Sequence, residues 1–281
     1  LLGIAAVCLA GFTFAQDAPL WMRHSVISPD GTTIAFTYKG DIYTVPVAGG
    51  RAMQITTNPA YDTAPVWSPD SKRIAFASDR MGSLDVYIVA KDGGEPRRLT
   101  THSGSETPLA FTDAGHVLFS AGIMPSAEAV VFPSNGQFNQ VYRVSVEGGR
   151  PTMISSMPME CISINKEGAM LYQDKKGYED YWRKHHVSPI ARDIWMYTPG
   201  KEPQYRQLTT FGGEDREPVW APDGKTFYYL SEENGSFNIY RRTPGDAKAV
   251  QLTHYTKNPV RYLSAATDGR LCYGFDGEIY T

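Results

Sequence analysis

The sequence predicts an all-β protein: a six-bladed β-propeller of four-stranded antiparallel blades, with the last blade incomplete. Three recurrences carry this reading. A turn of the Ser-Pro-Asp-Gly type, flanked by apolar strands, returns six times. A triplet of a polar, a β-branched and an aromatic residue follows each turn. A Gln-Leu-Thr-like triplet closes five of the six units. Self-similarity at roughly 40–50 residues is the mark of propeller blades.

The turn is clearest at Ser28-Pro29-Asp30-Gly31, Ser68-Pro69-Asp70-Ser71 and Ala221-Pro222-Asp223-Gly224. Weaker copies are Thr112-Asp113-Ala114-Gly115, Asn165-Lys166-Glu167-Gly168 and Ala266-Thr267-Asp268-Gly269. Acidic residues of the six copies stand at 30, 70, 113, 167, 223 and 268, giving spacings of 40, 43, 54, 56 and 45. Pro presets φ, Asp bonds back to the backbone, and Gly takes the left-handed position that closes a hairpin. These Asp residues therefore read as turn formers, because a calcium loop needs ligands at alternate positions and a closing Glu.

The aromatic triplets are Asp41-Ile42-Tyr43, Asp85-Val86-Tyr87, Gln140-Val141-Tyr142, Asp193-Ile194-Trp195, Asn238-Ile239-Tyr240 and Glu278-Ile279-Tyr280. The closing triplets are Gln54-Ile55-Thr56, Arg98-Leu99-Thr100, Met153-Ile154-Ser155, Gln207-Leu208-Thr209 and Gln251-Leu252-Thr253. With strands named A to D along each blade, the propeller domain covers 21–281. Its blades run at about 22–56, 63–100, 106–155, 159–209, 216–253 and 259–281. The sixth would stop where its outer strand should begin, leaving an unpaired edge.

Leu1 to Ala15 is apolar, small and uncharged, and Thr13-Phe14-Ala15 suits signal cleavage before Gln16. The segment reads as a secretory signal truncated at its own start, too short to span a bilayer. The expectation is an exported, periplasmic protein with no membrane span in the mature chain. Gly 26, Pro 19 and 20% charged residues suggest turns rather than disorder. A net charge of −3 gives no reason to expect nucleic acid. Cys161 and Cys272 lie in apolar strand patterns without ligand spacing, and read as buried free thiols. No metal and no cofactor is expected.

Strand alternation puts A–B and C–D turns on one face of the ring, and B–C and D–A loops on the other. The long B–C loops, about Gly122 to Asn139 and Lys175 to Arg192, therefore share a face with Phe211-Gly212-Gly213-Glu214-Asp215-Arg216. Loops on a rigid scaffold are where binding residues concentrate. The candidate contact residues for a partner or a peptide are Arg183, Lys184, His185, His186, Arg192 and Arg216. Tyr181 and Trp182 are expected to pack inward, leaving Arg183, Lys184 and Arg192 free for charge-assisted bonds. In the plain alternative the aromatics pin the loop and the charges stay solvated. No Gly-x-Ser-x-Gly elbow or His-Glu-x-x-His motif occurs, so no catalytic residue is assigned.

The repeat Ala64-Pro65-Val66-Trp67-Ser68-Pro69-Asp70, with Ile74-Ala75-Phe76 and Asp85-Val86-Tyr87, resembles the TolB-like propeller repeat. A narrower match is Tyr178-Glu179-Asp180-Tyr181-Trp182-Arg183-Lys184-His185-His186, running on to Asp193-Ile194-Trp195. Together with Phe211-Gly212-Gly213-Glu214-Asp215-Arg216-Glu217-Pro218 it is similar to the first propeller of bacterial tricorn-type proteases. The resemblance covers essentially all of the mature chain. In that family a six-bladed propeller precedes a seven-bladed one, a PDZ domain and a serine peptidase core, and the full enzymes are large oligomers.

The resemblance implies a non-catalytic port, filter or assembly surface for peptides. The implied partners are downstream domains of the same polypeptide, peptides and further copies of the full-length protein. Archaeal relatives hold a peptide's C-terminus with paired arginines in a loop opening the third blade. The matching Gly104-Ser105-Glu106-Thr107-Pro108 has no Arg, so that role does not carry over to it. The other reading is a stand-alone periplasmic TolB-like propeller that serves as a protein-binding scaffold.

Overall fold

The computed structural model describes residues 21–123, 138–177 and 187–281. Their strands form six antiparallel sheets, each ordered as in the chain from strand A outward; five have four strands and the last has three. The A strands are Arg23–Ile27, Asp62–Trp67, Glu106–Asp113, Met159–Ile164, Asp215–Trp220 and Arg261–Ala265. Each touches the A strand on either side of it, and blade six closes onto blade one, so these six strands form the hub.

The turn residues act as their chemistry requires. Asp30 Oδ1 accepts from the Ser28 hydroxyl at 2.5 Å and the Thr32 amide at 3.0 Å. Asp70 repeats this, and its bond from Ser68 is the main reason its carboxyl lies below the usual range. Gly31 adopts φ +71°, and a Cβ there would meet the Asp268 carboxylate at 3.0 Å. Ser71 holds the same left-handed geometry at φ +58°, and its hydroxyl accepts from the Asp30 amide at 3.1 Å. A strained residue thereby ties two neighbouring turns together.

The aromatic triplet has a partner on strand B. Phe36 faces Tyr43, Phe76 faces Tyr87, Phe119 faces Tyr142, Tyr172 faces Trp195, Tyr229 faces Tyr240 and Tyr273 faces Tyr280. Ring centroids of the first three pairs lie 5.7–5.9 Å apart, the range in which aromatic pairs attract. The closing threonine locks the outer strand. Thr56, Thr100, Thr209 and Thr253 accept the amides of Ile42, Val86, Ile194 and Ile239 at 2.9–3.0 Å.

Every seam between blades holds its own apolar cluster. Trp67 and Phe76 fill the first, Phe111 and Phe119 the second, and Leu118 and Met159 the third. Leu171 and Trp220 fill the fourth, Leu230 and Val260 the fifth, and Ile27 and Cys272 the last.

All six A strands carry a register shift against strand B. In five of them the extra residue is left-handed: His24, Ala64, Cys161, Glu217 and Tyr262 have φ between +50° and +58°. In blade three Pro108 stands at the corresponding position, and its ring fixes φ on the negative side. Bulges of this kind re-aim side chains and sharpen local twist.

Candidate functional site

The loop face is built from the ends of strands B and C and the entries to strands A. Of the candidate contact residues, Arg183, Lys184, His185 and His186 lie outside the described residues, as do Tyr181 and Trp182. The base of the blade-four loop is described, and it is firmly tied. The Lys176 ammonium donates to the Ala191 carbonyl at 2.7 Å and to Asp193 at 2.5 Å. The Ser188 amide donates to the Gly212 carbonyl at 3.3 Å, and the Asp215 amide to the Arg192 carbonyl at 3.0 Å. The two segments that strand alternation placed on one face are thus bonded to each other.

Arg192 departs from expectation. The sequence places it among the projecting contact residues, but it is 6% exposed. Its Nε donates to Glu160 at 3.1 Å and its Nη1 to Glu214 at 3.3 Å. Arg216 is buried beside it, with Nε 2.5 Å from Glu214 and its guanidinium over the Phe237 ring at 5.0 Å. The reason is position: Arg192 ends the loop where it re-enters strand C, and Arg216 lies inside strand A, so neighbouring blades cover both. Buried arginine is stable only when paired, and Glu160 and Glu214 provide that pairing.

The network reaches further around the hub. Gln173 donates to Glu160 at 3.0 Å and accepts the Glu217 amide at 2.9 Å. Glu217 in turn accepts the Leu263 amide of blade six at 2.8 Å. Lys175 lies 3.4 Å from Glu160. Burial by itself would raise the Glu160 carboxyl, but the charges of Arg192 and Lys175 and the bond from Gln173 outweigh it and hold the group low. These bonds stitch blades four, five and six together at the hub.

Cys161 also differs from the sequence reading: Cys272 is buried, but Cys161 is exposed. The left-handed bulge at Cys161 breaks the two-residue alternation from which burial was inferred. Its strand is flanked by blades on both sides, so the exposure is toward the axis. Although solvent reaches it from one side, protein surrounds the residue closely enough to desolvate its charged form, and that, then the carboxylates of Glu217 and Glu160, push the thiol well above its usual range. A thiol held in that form is a poor nucleophile.

Sequence reasoning missed Glu160, Gln173 and Glu217, and Glu214 was read only as part of a loop. The available signal was a charged or amide residue inside an otherwise apolar strand A or B, a position that demands a partner. Among the described residues no group of three or more His, Cys, Asp or Glu could hold a metal ion, and no helix is long and apolar enough to cross a membrane. The arrangement positions loops, and the buried charges of Arg192, Arg216, Glu160 and Glu214 are paired with one another.

Comparison with known proteins agrees with this architecture. The family model described as the tricorn protease N-terminal β-propeller domain matches residues 19–281. A tricorn protease homologue from Streptomyces coelicolor is 26% identical over 267 residues, 94% of this chain and 24% of that protein. The chain thus spans about a quarter of the length of that relative. The crystal structure of the tricorn protease superposes with a TM-score of 0.75 at 20% identity, over 94% of this chain and 25% of that one. TolB from Acinetobacter baumannii gives a TM-score of 0.64 at 15% identity, over 90% of this chain and 66% of that one. At such identities the superpositions speak for the fold alone, whereas the match over residues 19–281 shows that the chain belongs to the tricorn protease N-terminal β-propeller family.

Proposed function

We propose that this propeller is a non-catalytic unit of an exported, tricorn-like serine peptidase, serving as a port, filter or assembly surface for peptide substrates. The observation that carries the reading is the family match over residues 19–281 in a chain that spans only a quarter of its relative. The bonded loop base supports it, since it gives the blade-four loop an anchored platform on the loop face of the ring. Arg192 and Arg216 act in this reading as supports, and Arg183, Lys184, His185 and His186 are the contact residues. The test is Arg183→Ala combined with Lys184→Ala in the full-length protein. Fragment stability should stay unchanged, while peptide turnover or native mass falls; unchanged turnover and mass would remove the loop from function. The propeller by itself should not hydrolyse peptides. Export is tested by fractionation and by a mature N-terminus at Gln16.

A stand-alone scaffold is the second reading, favoured by the superposition of TolB over 90% of this chain. The mass of the native polypeptide separates the two.

A further inference from the structure

On the loop face, three of the six seams set acid against acid. The amide opening strand A of one blade donates to the carbonyl just before strand C of the blade before it, Asp62 to Gly40 and Glu106 to Leu84 at 2.7 Å and Asp215 to Arg192 at 3.0 Å, which sets Asp41 beside Asp62, Asp85 beside Glu106 and Asp193 beside Asp215. Each pair has a basic side chain on one member only. Arg80 lies 2.7 Å from Asp62, Arg98 2.8 Å from Asp85, and Lys176 2.5 Å from Asp193. Asp85, Glu106, Asp193 and Asp215 are all buried. At the second and fourth seams, two buried carboxylates thus share one cation, and full ionisation would leave one charge uncompensated.

Local geometry shows which member is left over. Arg98 is engaged with Asp85, and Glu106 has no cation of its own: the donors nearest it are the Thr100 hydroxyl and the His102 amide, which favour its charged form less than burial opposes it. The groups around Glu106 are the Thr100 hydroxyl, the Asp85 carboxylate, the Arg98 guanidinium and the His102 ring, whose Nδ1 is 4.0 Å away. Asp215 is similar. Its neighbours are the hydroxyls of Ser231 and Thr209, the carboxylates of Asp193 and Glu233, and the rings of Tyr229 and Tyr240, while Lys176 is committed to Asp193. Its Oδ1 has no partner.

We propose that Glu106 and Asp215, the members of these buried acid pairs without a cation of their own, are proton-binding sites of the loop face, and that loss of their protons to solvent loosens the seams between blades two and three and between blades four and five. The second of these seams holds the base of the blade-four loop. Burial, then the nearby Asp85 charge, raises Glu106 from its ordinary 4.5 to about 7. Burial, reinforced by Asp193 and Glu233, raises Asp215 to about 7 against 3.8. The folded seam binds its proton more tightly than the open one, so closure is favoured at low pH and weakens as pH rises from the open-state value through about 7. His24 acts in the opposite sense: burial lowers it to about 4, so its contribution is lost as pH falls below 6.5. A global melt sums both effects, and the readout must be local.

Hydrogen–deuterium exchange by mass spectrometry at pH 5.5 and 8.5, corrected for the intrinsic rate, supplies it. Peptides at these two seams should open up to roughly thirtyfold more at the higher pH. Peptides between blades three and four, where Gln140 and Met159 hold the corresponding positions, should not respond. Glu106→Gln should abolish the response at its own seam and spare the other, and Asp215→Asn the converse. If either variant fails to fold, Asp85→Asn frees Arg98 for Glu106 and should shift the transition to lower pH. In the wild type, the infrared band of a protonated carboxyl should disappear near pH 7, whereas ordinary glutamates lose theirs near pH 4.3. Equal pH responses at all seams, a response surviving Glu106→Gln, or no carboxyl band above pH 6 would each overturn the proposal.

Discussion

Blade three is bordered by two unlike seams, and two adjacent residues of its strand B face them. Phe119 packs toward blade two and Leu118 toward blade four, both fully buried. The seam with blade two carries charge along its height. Asp85, Arg98, His102 and Glu106 lie on the loop face; Arg97 reaches Glu147 at 2.7 Å and also the Val146 carbonyl; and Arg73 bonds the Ala114 carbonyl on the turn face. Among the described residues no ion pair crosses the seam with blade four, which closes on Met159, Ile162, Met170, Tyr172 and their neighbours. The fold thus accepts two solutions at one position. Apolar packing is non-directional and indifferent to pH. Buried charge demands fixed partners, and brings specificity only if all of them are in place.

The largest expected effects come from the shared strand. Phe119→Ala should cost about 3–5 kcal/mol and Leu118→Ala about 2–5 kcal/mol in chemical denaturation. The Leu118 cost should be the same at pH 5.5 and 8, because no titrating pair spans its seam. Next is an attempt to convert the apolar seam into the charged one. Met159→Glu buries an acid without a cation and should cost roughly 3 kcal/mol at pH 8, with a smaller loss at pH 5, where the new carboxyl is protonated. A pH-independent loss would mean that the new side chain swings out to solvent.

Arg98→Ala removes the cation from Asp85 and Glu106. Its side chain is 29% exposed, so solvent screens part of the interaction and about 1–2 kcal/mol at pH 8 is expected. That loss should shrink on acidification, as the remaining pair takes up protons; a loss that grows on acidification would contradict the charge count. Arg97→Ala should be the mildest of the series. Its partner Glu147 lies in open solvent, and the melting temperature should not move beyond measurement error.

The fold was legible because its signals are local. A Ser-Pro-Asp-Gly turn and its bonds to Thr32 and Thr33 lie within six residues, and a Phe36–Tyr43 pair within one hairpin. The site was less legible because its partners are not local. Arg192 finds Glu160 at 32 residues' separation across its own blade and Glu214 at 22, at the entry to the next. From sequence it reads as a loop cation; only the closing of blade against blade buries it. Cys161 failed for another reason, since one left-handed residue inside a strand reverses the inference from alternation. Glu106 was seen only as part of a stretch without arginine, and nothing in the chain near it announces Asp85 across the seam.

The contacts between blade six and blade one set an order of assembly. The Ile27 amide bonds Ser264, the Pro29 carbonyl accepts from Thr267, and Arg270 reaches the Gly31 carbonyl, each across more than 230 residues. Joining ends about 240 residues apart costs roughly 1.5 kcal/mol more chain entropy than closing a 40-residue blade. Blades two to five can therefore dock one after another as the chain emerges, while blade one waits with the faces of Ile27 and Ile34 uncovered until blade six arrives. During synthesis that waiting edge is the stretch most open to wrong partners, and a chaperone that shields it would protect the nascent chain at its weakest moment.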